Sequence, residues 1–320
     1  MATVWRFGTV LPPAPSVLDG PDYTQADPRW IGRALAASQA KPTGGWYVVD
    51  ASRVIRDTPR RYRLLGQDWV VFRDAQGVVV GPDACPHMGA SLSTGRCQGG
   101  QVVCPWHGLR LGRQRRASWV PVPAYDDGVL VWARFDEEGQ EPTERPFLPE
   151  RPTGGLAAVM RLEAACHPRD VVENRLDPWH GTHFHPHSFG TLHVLAQSDD
   201  DIVVRVAYRV LGPLAVEVDA RFHTPDPRCI TMTIVAGEGT GSVVETHATP
   251  LDDQRSAVVE ATIATSERPG FQWAVRRLGW FIRPLVEARA RRLWVEDAAY
   301  AERRLALREQ GFADLPLGRG

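Results

Sequence analysis

The sequence predicts an α+β chain of two units: a small antiparallel β domain, then a larger domain in which an antiparallel sheet is crossed by a long helix. Three observations carry this. Short β-rich runs separated by Gly, Asp and Pro recur from Trp46 to Phe135. Five longer runs between Ile202 and Thr265 alternate apolar with polar residues; Val216, Val218, Ala220 and Phe222 share one face, Glu217, Asp219 and Arg221 the other. That period of two belongs to a sheet with one wet face. From Phe271 onward the composition turns helical.

In order, residues 1–45 form an N-terminal extension with a short helix around Trp30 to Ala40, ended by Pro42, Gly44 and Gly45. Residues 46–140 form the β domain, with strands expected at Trp46, Tyr62, Trp69, Val78 and Val129 to Phe135. A Pro- and Glu-rich linker occupies 141–155, and 156–320 make the second domain. Its runs near Ile202, Leu214, Ile230, Val243 and Ala257 give the sheet. Pro284 is a break or first-turn position ahead of a long helical run to Glu309.

Composition narrows the function. Thirty-seven basic against thirty-eight acidic residues leave a formal charge of −1, which gives no bulk attraction to nucleic acid. The start of the chain has Arg6 and a Pro-rich run from Pro12 to Pro15 but no apolar core of signal-peptide type, and no apolar run reaches membrane-spanning length. Five cysteines at irregular spacing do not make a disulfide framework, so a reducing cytoplasm is expected.

The chemistry concentrates in two stretches. The first holds Cys85-Pro-His87 and Cys104-Pro-Trp-His107, with sixteen residues between His87 and Cys104. Two thiolates and two imidazoles in paired Gly- and Pro-flanked loops are the ligand set of a Rieske [2Fe–2S] centre. A zinc finger is the alternative, but it needs both histidines together on a helix after the Cys pair. The second stretch, Glu173 to His187, carries His180, His183, His185 and His187. Non-haem Fe(II) is held by two His and one carboxylate on one face. Spacing alone leaves the choice among these histidines open, and a surface His-rich patch is the bland reading.

Together the stretches closely resemble the Rieske non-haem iron oxygenases, in their terminal oxygenase component, from about Trp46 to Glu302. Ala90 and Trp106 stand where respiratory Rieske proteins carry a disulfide, which points to the oxygenase or ferredoxin branch; Met88 departs from the Arg often found there. The resemblance implies a helix-grip (START-like) second domain. Its motif Asn-x-x-Asp-x-x-His-x4-His is matched by Asn174, Asp177, His180 and His185. It selects His180 and His185 as iron ligands, leaving His183 and His187 outer-sphere or surface roles. The third ligand is implied to be Asp297, at the edge of the apolar stripe Ala290, Trp294, Ala298, Ala301 and Leu305; the alternative is an acid solvated like Glu296 or Glu302. Asp177 is implied to accept the free N–H of His180 and to reach a histidine of a neighbouring subunit's cluster, or else only to cap a helix. Asn174 is implied to lie near the iron.

The activity implied is O2-dependent hydroxylation, or demethylation through hydroxylation, of an apolar, ring-containing, steroid or isoprenoid substrate, with dihydroxylation also open. Electrons would come from NAD(P)H through a separate reductase, with or without a ferredoxin, because no nucleotide-binding glycine fingerprint is present. A homotrimer is implied. An electron carrier with a non-catalytic second domain, or a lipid-binding module with a vestigial metal site, are the alternatives. Phe271, Trp273, Trp280 and Phe281 are available to a pocket, and alternate with Arg276, Arg277 and Arg283 in a stretch that is either a solvated helix face or a contact with a membrane surface.

Overall fold

A computed structural model describes residues 4–5, 8–10, 26–199, 201–211 and 214–312. Arg6 and the Pro12–Pro15 run lie outside the described residues.

The N-terminal β unit consists of three antiparallel three-stranded sheets among the described residues. Ala124–Asp126, Leu130–Arg134 and Trp46–Ala51 form one; Arg60–Leu64, Gln67–Asp74 and Gly77–Pro82 the second; Arg96–Gln98, Gln101–Val103 and Arg110–Leu111 the third. The expected strands all fall in the first two. The third had no signal, since strands of two or three residues are too short to show alternation. Its Gly95 matters structurally: a Cβ there would sit 2.3 Å from the Val103 carbonyl oxygen. Gly95→Ala must therefore push apart the hairpin under the second Cys–His loop. The expected cost is about 1–3 kcal/mol, read as a lower thermal midpoint.

In the C-terminal half the sheet order is Val4–Trp5, Gly8–Val10, Leu214–Asp226, Cys229–Gly237, Val243–Pro250, Ser256–Ala264 and Leu156–Ala164, with Phe189–Gln197 and Asp201–Leu211 branching from Leu214–Asp226. Every pairing is antiparallel. The period of two holds: Val218, Ala220 and Phe222 are buried, while Asp219 and Arg221 pair on the wet face with Arg205 and Asp201.

Four helices among the described residues cover the buried face. α1 (Pro28–Gln39) opens with Asp27 capping Arg29 and sinks Trp30, Ile31, Ala34 and Leu35 into the same core as the sheet. α2 (Pro168–Leu176) starts on a reciprocal His167/Asp170 cap, and its buried acids Asp170 and Glu173 are held by Arg308 and Arg304. α3 is the short turn His180–Phe184. α4 runs unbroken from Phe271 to Glu309. The break expected at Pro284 does not occur: the carbonyl that loses its partner belongs to exposed Trp280, where water can take the bond.

The halves are joined by a packed and ionic seam. Trp46, Val48, Leu130 and Trp132 share one apolar cluster with Val159, Val259, Ala261 and Ile263. Beside it Arg151 binds Asp127 of the β unit at 3.0 Å and Glu245 of the large sheet through two hydrogen bonds. Burial pushes the Glu245 carboxyl up, but Arg151 and His247 outweigh it and hold it below its ordinary value.

Candidate metal centres

The two Cys–His loops are built alike. Cys85 N–H donates to the Ala90 carbonyl and Gly89 N–H to that of Cys85; Cys104 N–H donates to Leu109 and Gly108 N–H to Cys104. Gly89 and Gly108 both take positive φ (79° and 73°), which closes each turn without a Cβ clash. The result is an asymmetric pair of pairs. Cys85 and Cys104 are buried, while His87 and His107 are exposed with ring centroids 4.8 Å apart. Burial raises the Cys85 thiol; at Cys104 burial is outweighed by the backbone N–H groups of His107 and Trp106, and the thiol is lowered. Paired thiols beneath paired imidazoles fit a cluster with two differently ligated irons. Met88 and Trp106 stand exposed on either loop.

The second centre is assembled from two helices. His180 opens α3, His185 follows its last turn, and Asp297 projects inward from α4. Their ligand atoms all lie within 4.8 Å of one another, with Asp297 Oδ1 at 3.1 Å from His180 Nε2 and 2.7 Å from His185 Nε2. Donors held about 2.1 Å from one ion at right angles lie about 3 Å apart, so this spacing suits a shared metal. Asp297 is 2% exposed, which rules out the solvated reading. The stripe predicted beside it, Ala290, Trp294, Ala298, Ala301 and Leu305, is buried throughout. His183 and His187 are exposed and outside the group.

Hydrogen bonds fix how the imidazoles present themselves. His180 Nδ1 faces the Asp177 carbonyl oxygen, and His185 Nδ1 faces Glu296 Oε2 at 2.5 Å. With each Nδ1–H donated outward, both Nε2 lone pairs point at a carboxylate oxygen. That is repulsive unless a cation lies between them, so the donor set fits a divalent metal or, without one, protons. Burial pushes the Asp297 carboxyl up, but the two imidazoles and Arg175 hold it well below its ordinary range; burial lowers His180, and Asp297 outweighs it upward. In metal-free protein Asp297 stabilises the fold above pH 3.8 and loses this as pH falls through its depressed value. His180 stabilises it below pH 6.5 and loses this as pH rises through its raised value. Thermal unfolding of metal-free protein should therefore peak between these limits, and iron uptake should tighten as pH rises, since the metal displaces protons.

Two expectations need correction. The acceptor for His180 Nδ1 is the backbone carbonyl of Asp177, not its carboxylate, whose Oδ2 lies 3.9 Å away. The chain turns between α2 and α3 at Pro178, which aims the carbonyl rather than the side chain at the ring. The carboxylate is half-buried facing the Trp179 and His180 N–H groups, and its buried Oδ1 has no hydrogen-bond partner among the described residues; desolvation raises its pKa. Glu296, expected to be solvated, instead orients His185. A carboxylate behind a metal-bound imidazole commonly contributes 10- to 100-fold, so Glu296→Gln should cut iron affinity or turnover by roughly that factor. Asn174 is buried, with Nδ2 3.2 Å from Asp297 Oδ1 and 3.4 Å from His180 Nε2.

Sequence reasoning also missed the support behind the site. Glu260 binds the Arg175 guanidinium and accepts from Trp294 Nε1 (2.6 Å) and Thr246 Oγ1 (3.3 Å). Arg175 stacks 4.9 Å over the Trp294 ring. Burial disfavours its charge, but Glu260 and Asp297 outweigh that, so it remains a fixed cation near Asp297.

A cavity of about 30 Å³ opens on these residues, walled by Phe189, Leu192, Tyr208, Phe222, Met232 and Leu293. Phe271, Trp273, Trp280 and Phe281, expected to supply a pocket, are not in its wall, because the phase of α4 turns Trp273, Trp280 and Phe281 outward. The sheet supplies the apolar lining instead.

Comparison with known proteins agrees with this arrangement. Residues 45–130 match the Rieske [2Fe-2S] domain, and residues 137–312, more than half of the chain, match a family described as a domain of unknown function (DUF5914). The oxygenase component of 3-ketosteroid-9-alpha-monooxygenase from Rhodococcus rhodochrous is 29% identical over 165 residues, 44% of this chain and 43% of the relative. The vanillate O-demethylase oxygenase subunit of Pseudomonas sp. (strain HR199 / DSM 7063) is 28% identical over 47% of this chain and 46% of its own. The matches thus span less than half the length of these relatives. Among solved structures, dicamba monooxygenase bound to dicamba superposes with a TM-score of 0.65 at 18% identity, over 87% of this chain and 93% of that one. The oxygenase–ferredoxin complex of carbazole 1,9a-dioxygenase gives 0.56 at 14% identity, over 93% and 88%. The chain belongs to the family described as a domain of unknown function (DUF5914), carries a Rieske [2Fe-2S] domain ahead of that match, and shares the fold of dicamba monooxygenase.

Proposed function

We propose that this chain is a terminal oxygenase component that uses O2 and electrons from a separate reductase, directly or through a ferredoxin, to hydroxylate or oxidatively demethylate an apolar substrate. The observation that carries the reading is the convergence of His180, His185 and Asp297 in a chain that also has a Rieske domain. An electron carrier has no need of that second set of ligands, with both imidazoles oriented from behind.

Cys85, His87, Cys104 and His107 would hold the [2Fe–2S] cluster, and His180, His185 and Asp297 the Fe(II). When bound, the cluster supplies electrons one at a time and Fe(II) supplies O2 activation. The chain's own groups prepare the site. Asp177 O and Glu296 fix which imidazole nitrogen faces the metal. Asn174 donates to Asp297 and holds its carboxylate in place. Phe189, Leu192, Phe222 and Met232 exclude water and favour an apolar substrate, while Tyr208, whose hydroxyl meets Met232 Sδ at 2.8 Å, is kept neutral by burial. The Asp177 carboxylate, partly exposed beside His180, suits a further partner from outside the chain: a cluster imidazole of a neighbour in a homotrimer. A reducing cytoplasm suits the free thiols.

Protein purified without oxygen should contain about three irons per chain, two of them with acid-labile sulfide. Oxygen consumption with a surrogate reductase, across aromatic, steroid and isoprenoid compounds, tests the activity. Two irons per chain and no substrate-dependent uptake would favour the carrier; full zinc without sulfide would reject both.

A further inference from the structure

The first half of α4 wears its apolar side outward. Its inward mark is Gly279, buried with the position of a Cβ 3.3 Å from Leu156. At 100° per residue, Trp273, Trp280, Phe281 and Leu285 fall on the opposite side. They are 62%, 73%, 59% and 60% exposed. This inverts the second half of the helix, whose apolar stripe faces the core. Arg277 lies within the outward face and Arg276 along its border, both exposed, while Arg283 turns inward to donate to the Ala157 carbonyl; no acid occurs from Phe271 to Val286. Large aromatic side chains do not gather on a solvated face without an occupant.

We propose that this stretch, Phe271 to Leu285, docks flat on an anionic lipid bilayer. Indole rings favour the headgroup boundary, Phe and Leu the acyl region beneath it, and arginines the phosphates, which is the pattern of a helix lying in the interface plane. A second copy of this chain would set one acid-free cationic segment against another wherever like faces met. An acidic protein would answer the arginines but not the ridge of Trp, Phe and Leu. The helix does not cross the membrane: no described helix is long and apolar enough. Leu285 and Leu293 are eight residues apart, about 12 Å along the axis, and Leu293 is part of the cavity wall. The docked segment would hold that wall close to the lipid in which an apolar substrate dissolves. Only this last step rests on the oxygenase reading.

The test is sedimentation of the full-length, cluster-loaded chain with vesicles of phosphatidylcholine alone or mixed with phosphatidylglycerol, with lipid-free sedimentation velocity alongside. Binding to the mixed vesicles, weakened by salt, is expected. Two double variants, Trp280→Ser with Phe281→Ser and Arg276→Glu with Arg277→Glu, should each weaken it at least about tenfold while the cluster absorbance stays unchanged. The proposal is overturned if mixed vesicles bind no more protein than phosphatidylcholine, or if both variants bind like the parent. It is also overturned if the Trp280/Phe281 variant changes the lipid-free oligomeric state, which would assign the face to a second copy. Vesicle binding without turnover would reject the oxygenase reading and leave the docking standing; turnover without vesicle binding would do the reverse.

Discussion

Asp297→Ala is expected to abolish product formation while leaving the visible spectrum of the cluster unchanged. The substitution removes the one group that both Nε2 atoms face, at 3.1 and 2.7 Å, and leaves two imidazoles that cannot alone complete a two-histidine, one-carboxylate face. The loss should exceed the roughly 10- to 100-fold of an outer-sphere partner. Metal analysis should fall from about three irons per chain to about two, with sulfide unchanged. The fold should survive, because the neighbouring stripe of α4 is untouched and the arginine–glutamate pair behind it remains. Retention of all three irons would show that another side chain is the third ligand.

Asp177→Asn is expected to be a different kind of failure. The amide is nearly isosteric, and the carbonyl that orients His180 belongs to the backbone, so both metals should load normally. What disappears is an anionic acceptor with a buried oxygen unpaired among the described residues. If the exposed part of the carboxylate serves a cluster imidazole of a neighbour, reduction by the partner protein should be normal. Reoxidation with substrate and O2 should stall, with product down at least the roughly 10- to 100-fold typical of outer-sphere losses. Stopped-flow reoxidation decides it. A helix-capping role predicts wild-type behaviour, because Asn caps as well as Asp; rapid reoxidation coupled to product would reject the bridge.

The sequence carried the parts of this architecture that repeat a local rule. The alternation around Val218 and Phe222 marked the sheet, and the stripe from Ala290 to Leu305 marked the inward side of the helix. The Cys–His loops were legible because two thiolates and two imidazoles, paired one to each loop, suit little besides a cluster with unlike irons. What was not legible depends on contacts distant in sequence. Asp297 is singled out by the resemblance, but its neighbour Glu296 looks like any solvated acid, and only the meeting of α4 with the end of α3 sets it behind His185. The unbroken helix at Pro284 depends on exposure, which the local sequence does not give. Asp177 was assigned the right neighbour with the wrong atom, since the turn at Pro178 decides whether a carbonyl or a carboxylate meets the ring. The pocket aromatics failed for a related reason: helical phase was known, but not which side had a sheet beneath it.

The cavity beside the metal ligands has a kinetic consequence. At about 30 Å³ it falls far short of the roughly 300–1,000 Å³ of a cleft that takes a ring-sized ligand. A ring-sized ligand can enter only after Leu293, Phe189 or Met232 has moved, so association is a two-step process gated by the protein. The observed rate of ligand binding should then level off at high ligand concentration, at the rate of wall opening, instead of climbing linearly as it would for a preformed cleft.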